Sequence, residues 1–152
     1  MFEINTAENL FFYIRKAMEK FSGRRVKRVD EFLFLVMALN HLREWIAPGY
    51  QHKNKKWPEP ENQGEQFFRD IWKLPEFQII NEICNGIKHY KSIPQTTSTE
   101  FGLTIDEWES IDDVQGFDNG PPQRFEVDGV DVETIMTKVV EFYSKNWFNK
   151  PC

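Results

Sequence analysis

The chain has 152 residues, of which 40% are hydrophobic, 15% aromatic and 28% charged, and its formal net charge is −5. This composition excludes an intrinsically disordered chain, because the apolar fraction is large enough to build a core. The negative charge disfavours bulk nucleic-acid binding, since no overall positive field is present to hold a phosphate backbone. We therefore expect a single domain over residues 1–152.

Two features of the sequence bear on where the protein resides. The N-terminal residues lack the basic region and apolar stretch of a signal peptide, and no apolar run approaches the roughly 18 residues of a membrane span. The two cysteines, Cys84 and Cys152, do not make a disulfide framework. We expect a cytoplasmic protein with no membrane partner and no cofactor.

Residues 1–93 have the apolar periodicity of a helical bundle. Asn5 or Thr6 is predicted to cap the first helix. Asp30 is predicted to cap the second helix, which runs to Trp45 and is apolar on every side at its centre. A helix of that kind belongs in the middle of a bundle.

Two shorter helices are predicted after a polar, proline-bearing loop at residues 50–63. The third helix spans about Gly64 to Lys73. The side chains that we expect it to bury are Phe67, Phe68, Ile71 and Trp72. Pro75 is predicted to start the fourth helix, because proline suits the first helical position. The apolar face of this fourth helix consists of Phe77, Ile80, Cys84 and Ile87.

Residues 94–152 are predicted to form a small antiparallel sheet and a closing helix. Apolar and polar residues alternate over 101–108, as in a half-buried strand. The dipeptide Asp128-Gly129 favours a tight hairpin turn, and Asp131 can cap a last helix that runs to about Phe148. The predicted fold class is mainly α (α+β), a helical bundle with a β-hairpin and a C-terminal helix packed back on it.

A line of polar side chains follows one edge of the fourth helix. Asn81, Asn85 and His89 are spaced i, i+4, i+8 and therefore lie along one face. An imidazole can act as general acid or base at cellular pH, and the Asn85 amide can orient it or bind a phosphate oxygen. Lys88 is the nearest positive group. The alternative is a purely structural role, in which Asn85 and His89 hydrogen-bond to backbone groups near Gly86.

The stretch from Ile83 to His89 resembles the motif of HEPN domains, small helical bundles of prokaryotic toxins and defence systems. In that motif an arginine and a polar residue are followed by three residues and a histidine. Asn85 and His89 fall on the polar and histidine positions, whereas Cys84 stands where the family has its arginine. A thiol supplies neither the fixed charge nor the fork of donors of a guanidinium.

The resemblance implies a HEPN-like helical bundle over about residues 5–91 and a homodimer in which two motifs face each other. A second resemblance involves residues 38–45 and 84–89 together with the predicted strand, Asp-Gly turn, strand and helix. These features are similar to a group of uncharacterised phage and bacterial proteins, which implies a shared fold but no activity.

The sequence patterns that would indicate a metal site or a phosphate site are weaker than the polar edge of the fourth helix. His41, Glu44 and His89 lack the compact spacing of a metal site, so we predict no metal. A buried His41 hydrogen-bonded to Asn85 or Glu82 is the preferred interpretation. The basic runs at 24–28 and 52–56 are expected to be solvated loops, with phosphate-contacting patches as the alternative.

Two functional hypotheses follow. The first is a non-catalytic interaction or accessory protein, a HEPN-like domain without its arginine or a phage or bacterial protein. It acts as a homodimer or on a protein partner, with Asn81, Arg43 and His41 as candidate binding residues. The second is a metal-independent endoribonuclease that binds RNA, with His89 as general acid or base, Asn85 orienting the phosphate, and Lys88, Arg43 or the basic loops supplying positive charge. The acidic balance and the missing arginine favour the first.

Overall fold

The computed structural model describes residues 3–51, 56–89, 125–127 and 129–149, with the side chains of the fourth helix described as far as Gly86. This part of the chain is mainly helical with a small two-stranded antiparallel sheet, which confirms the predicted fold class. The helices are α1 (Ala7–Gly23), α2 (Val29–Ile46), α3 (Gln63–Trp72), α4 (Pro75–His89) and α5 (Val132–Tyr143). The strands are β1 (Glu126–Val127) and β2 (Val130–Asp131).

Helix α1 begins where the sequence predicts. The Thr6 hydroxyl oxygen accepts a hydrogen bond from the backbone N–H of Asn9 at 3.1 Å, which satisfies one unpaired donor of the first turn. The predicted apolar positions are all buried, and they are Leu10, Phe11, Ile14, Met18 and Phe21. This stripe packs α1 against α2 and α5.

The start of α2 differs from the prediction. Asp30 lies inside the first turn, and Arg28 occupies the N-cap position without a side-chain hydrogen bond to the helix. Arg28 donates from Nε and Nη2 to the two carboxylate oxygens of Asp30, each at 2.9 Å. The prediction of an Asp30 cap is therefore wrong, because the neighbouring guanidinium holds the carboxylate that would have capped the helix.

Helix α2 lies at the centre of the bundle and packs against α1, α3, α4 and α5. This agrees with the predicted central position, but one apolar face of the helix is not covered. Phe34, Met37 and Trp45 are 43%, 47% and 42% exposed. The four neighbouring helices cover the remaining faces of α2 and leave this one to solvent, which an apolar composition by itself does not reveal.

The α3–α4 corner follows the predicted boundaries closely. Asn62 caps α3 by accepting from the backbone N–H of Glu65 at 2.9 Å, and Pro75 is the first residue of α4, as predicted. Trp72 was expected to be buried, but it is 42% exposed. It occupies the last position of α3, at the rim of the bundle, where its ring meets the edge of Phe77 with the centroids 6.3 Å apart.

The predicted hairpin and the predicted helix cap are both confirmed. Val127 pairs with Val130 in antiparallel register, and the two-residue connection contains Gly129 at φ +74°. This left-handed conformation favours glycine, because a β-carbon is strained there. Asp131 accepts from the backbone N–H of Glu133 at 2.9 Å and caps α5. The strand predicted at 101–108 lies outside the described residues.

Helix α5 closes the bundle and continues into a π-helical turn at Ser144–Phe148. Its buried residues join the same core as those of α1, α2, α3 and α4, and they are Val132, Ile135, Met136, Val139 and Tyr143. The Tyr143 hydroxyl donates to the Leu39 carbonyl at 2.8 Å, and burial raises the pKa of this hydroxyl, so that it stays a neutral donor. Phe148 stacks on Phe11 with the ring centroids 4.2 Å apart.

Candidate functional site

Three asparagines join α2 to the polar edge of α4. The Asn81 Nδ2 donates to the Asn40 Oδ1 at 2.8 Å, and the Asn85 Nδ2 donates to the Asn81 Oδ1 at 3.1 Å. The predicted i, i+4 alignment of Asn81 and Asn85 is thus present. Asn40, which is buried, was not predicted to take part, although a lone amide in an apolar helix is a signal of a buried polar contact.

The hydrogen bonds among these three amides predict that removing the Asn81 side chain destabilises the protein more than removing the Asn85 side chain. We expect Asn81→Ala to lower the free energy of unfolding by about 1–2 kcal/mol, because it leaves the buried Asn40 oxygen without this donor. Asn85 is exposed, so Asn85→Ala should cost less than about 0.5 kcal/mol. Urea unfolding followed by circular dichroism measures both values. Equal losses in the two variants would contradict the assignment.

His89 and Lys88 lie in the last turn of α4, and their side chains lie outside the described residues. The backbone of His89 is eight residues beyond Asn81, or roughly 12 Å along the helix axis at 1.5 Å per residue. The catalytic roles of His89, Asn85 and Lys88 stay predictions. Of the residues proposed for catalysis, the side chain of Asn85 alone is described, and its amide is engaged with Asn81.

Arg43 lies toward the opposite end of α4 from His89. Its guanidinium carbon is 4.8 Å from the ring centroid of Phe77, in the first turn of α4. Phe77 and His89 are twelve residues apart, or roughly 18 Å along the helix. If Arg43 supplied the positive charge of the nuclease hypothesis, it would have to lie near His89. Within one chain the structure does not bring the two residues together.

His41 does not make its predicted contacts. Its Nδ1 is 2.9 Å from the Glu44 Oε2, one turn further along α2, and its side chain is partly exposed. The prediction of a buried His41 bonded to Asn85 or Glu82 is wrong, because Asn40 is the residue of α2 that faces α4. The next residue along a helix is rotated by about 100°, which turns His41 away from α4.

The basic run at 24–28 is used in ion pairs. Arg24 contacts Glu31 at 2.9 Å, and Arg28 contacts Asp30 at the same distance. Lys27 contacts Glu133 at 3.0 Å. These three cations are therefore engaged in ion pairs within the chain, which weighs against the phosphate-contacting alternative. Lys27, whose side chain is 9% exposed, also departs from the predicted solvated loop. Residues 52–55 of the second basic run lie outside the described residues.

Arg43 has the most unusual environment among the charged groups of the described residues. Only 8% of the residue is exposed, and its Nε has no hydrogen-bond partner. Three aromatic rings surround the guanidinium carbon, and their centroids lie 4.2 Å away for Phe68, 4.8 Å for Phe77 and 5.4 Å for Trp72. Burial lowers the pKa of Arg43 from its ordinary value, but an arginine remains ionised in this setting.

The aromatic surroundings of Arg43 come from two helices that meet at one corner. Phe68 and Trp72 are spaced i, i+4 on α3, so both rings lie on the side of that helix that meets α2. Phe77 comes from the first turn of α4. Sequence reasoning singled out Arg43 and expected the three rings to face the core, but it did not place them around Arg43. A cationic residue in the last turn of an apolar helix, followed by an i, i+4 aromatic pair, was the available signal.

Comparison of the chain with protein-family models, with curated proteins and with solved structures gives no match. Within the described ranges, no three or more His, Cys, Asp or Glu side chains lie close enough together to hold a metal ion. In the same part of the chain, every helix is too short or too polar to cross a membrane.

Proposed function

We propose that this protein is a non-catalytic interaction protein that binds a second copy of its own chain through the exposed face of α2. The observation that carries this proposal is the row of large apolar side chains on that face. Phe34, Met37 and Trp45, which we call the α2 stripe, are each more than two-fifths exposed. Single exposed apolar residues are ordinary, but a row along one helix is typical of a contact surface.

The α2 stripe has the geometry of a helix-packing surface. Residues 34, 37, 41 and 45 follow steps of three and four, so they stay on one side of the helix. The stripe spans eleven residue steps, from Phe34 to Trp45, or roughly 16 Å. Such a row fills the groove of a facing helix when that helix offers side chains of similar size.

A second copy of the chain is the occupant that suits this surface best. If two α2 helices cross antiparallel about a two-fold axis near residues 39 and 40, Phe34 of one protomer faces the partner's Trp45. The acidic residues beside the stripe have partners within the chain, since Asp30 is paired with Arg28 and Glu44 lies within hydrogen-bond distance of His41. Self-association is therefore not opposed by unpaired acids at this face.

The environment of Cys84 supports a non-catalytic role. Cys84 is buried on the apolar face of α4, where it packs as a small core residue, and it replaces the arginine of the HEPN motif. Arg43 does not compensate for that replacement within the chain, because its guanidinium lies beside Phe77, twelve residues before His89 on α4. Metal-independent RNA cleavage by His89, with Asn85 and Lys88, remains the competing proposal.

Analytical ultracentrifugation over a range of concentrations tests the dimer directly. We expect a reversible dimer with a dissociation constant on the order of micromolar, because the stripe is smaller than the roughly 800 Å² per partner of a standard interface. Met37→Lys places a charge at the middle of the stripe and should weaken dimerisation at least about tenfold. Thr134→Lys adds the same charge at an exposed position of α5 and should leave the dimer intact.

Circular dichroism should show that both variants are folded. A parent protein that is monomeric at every concentration would contradict the proposal, and so would a dimer that Met37→Lys does not weaken. The same preparations can be incubated with RNA in EDTA. Cleavage that is lost in a folded His89→Ala variant would overturn the non-catalytic assignment in favour of the nuclease.

A further inference from the structure

The Arg43 guanidinium is buried without an ion pair among the described residues, although the more distant Glu44 carboxylate favours its charge. None of their carboxylates lies within 4.0 Å of it, and its Nε is the one fully buried side-chain nitrogen or oxygen in this part of the chain that has no hydrogen-bond partner. Burying an ion without a partner is costly, so proteins pair such groups or satisfy them with hydrogen bonds. Arg43 departs from that rule.

Lys27 shows how this fold ordinarily satisfies a buried cation. Its side chain is 9% exposed, close to the exposure of Arg43. The Lys27 ammonium contacts Glu133 at 3.0 Å and donates to the backbone carbonyls of Phe21 at 2.7 Å and Ser22 at 3.2 Å. Lys27 thus has a carboxylate in contact and two further acceptors, whereas Arg43 has no ion pair among the described residues and its Nε has no acceptor.

The three aromatic rings stabilise the charge of Arg43 but do not complete its hydrogen bonds. Ring faces attract a cation. They offer no oxygen in the plane of the guanidinium, where its N–H groups point. The unsatisfied Nε–H and a neighbouring terminal N–H form a fork, and this fork matches the two oxygens of a carboxylate. The Nε–H, which lacks a partner, therefore belongs to a pair of donors whose geometry suits a carboxylate.

We propose that Arg43 and Trp72 form a binding site for a carboxylate. Because the Nε is fully buried, a ligand contacts it only when a covering ring moves aside, and Trp72 is the exposed ring of the three and the one furthest from the guanidinium. The apolar part of the ligand packs on the Trp72 indole. A single positive charge in a chain of net charge −5 selects a monoanionic carboxylate over a dianionic phosphate.

This site is independent of the proposed dimer. Arg43 points toward α3 and α4, whereas the α2 stripe lies on the opposite side of α2. Positions 43 and 45 are two residues apart, which is about 200° around a helix. A ligand at Arg43 can therefore bind to the monomer or to the dimer.

Thermal unfolding of the full chain tests the site with simple probes. Sodium acetate, sodium chloride and sodium phosphate are compared at equal ionic strength. We expect acetate to raise the Tm of the parent by about 2 °C more than chloride, with saturation. Arg43→Met should lose this difference. Arg25→Met, which removes an exposed arginine, should keep it.

A second measurement follows the guanidinium in the unmodified protein and does not depend on any variant folding. The Nε–Hε resonance of Arg43 is observed by NMR during an acetate titration, and it should shift with the same midpoint as the Tm. A resonance that does not move would overturn the proposal. So would an acetate effect that persists in Arg43→Met, which would show an adventitious additive only, or a phosphate effect as large as that of acetate.

Discussion

Replacing Lys27 by methionine lowers the free energy of unfolding by about 3 kcal/mol, whereas replacing Arg43 by methionine leaves it unchanged or raises it by about 1 kcal/mol. Both cations are little exposed, with 9% of the Lys27 side chain and 8% of Arg43 accessible, and methionine keeps an unbranched side chain at both positions. The two effects differ in sign because the two charges differ in their partners. Chemical unfolding in urea, in a buffer free of carboxylates, measures both values.

The loss at Lys27 follows from the partners that stay behind. Lys27→Met removes the ammonium that contacts Glu133 and that donates hydrogen bonds to the carbonyls of Phe21 and Ser22 at the end of α1. Breaking a buried pair costs about 3–5 kcal/mol, and the partial exposure of Glu133 places the expected loss at the lower end. Lys27 connects the α1–α2 loop to the first turn of α5, so its removal weakens the contact between these two elements.

The free energy of unfolding is expected to stay unchanged or rise in Arg43→Met because the arginine lacks partners that its removal would leave unsatisfied. Arg43→Met removes an ion that no carboxylate of the described residues contacts. It also loses the attraction between the guanidinium and three aromatic rings. One such cation–ring pair is worth about 0.5 kcal/mol when exposed and about 2 kcal/mol when desolvated. Methionine makes favourable contacts with the same rings. A loss as large as that at Lys27 would show that Arg43 is a structural residue, and the carboxylate site would then have no support.

The parts of the fold that the sequence predicts are those that depend on near neighbours. Thr6 and Asp131 cap helices through backbone donors two or three residues away. Pro75 starts α4, and Gly129 lies in a two-residue hairpin connection. The exception is Asp30, whose carboxylate is taken by Arg28, two residues earlier. Even a local pattern fails when a competing local partner is stronger.

The parts that the sequence could not predict depend on which elements meet. Asn40 and Asn81 are 41 residues apart, and no spacing within either helix shows that their amides bond. The same holds for Arg43, whose rings come from α3 and α4. Apolar periodicity indicates that α2 is buried, but the face left exposed is decided by where its four neighbours lie. The candidate site thus arises from contacts between helices.

Replacing Gly64 by alanine lowers the free energy of unfolding by about 2 kcal/mol, although alanine is the better helix former by about 1 kcal/mol. Gly64 lies in the first turn of α3, where α3 crosses the end of α2. A β-carbon there would lie 2.6 Å from the Ile46 carbonyl oxygen, a backbone atom that cannot move aside alone. The two helices must separate, which also shifts Phe68 and Trp72 away from Arg43.

Gly23→Ala is the matched control for this substitution. Gly23 is the last residue of α1, and nothing lies within 4 Å of the position of its added β-carbon. We expect a change of less than about 0.5 kcal/mol there. Because Gly64 sets the distance between α2 and α3, Gly64→Ala should also abolish the acetate-dependent rise in Tm, and Gly23→Ala should retain it. Unchanged stability in Gly64→Ala would mean that α3 has room to move without disturbing the Arg43 corner.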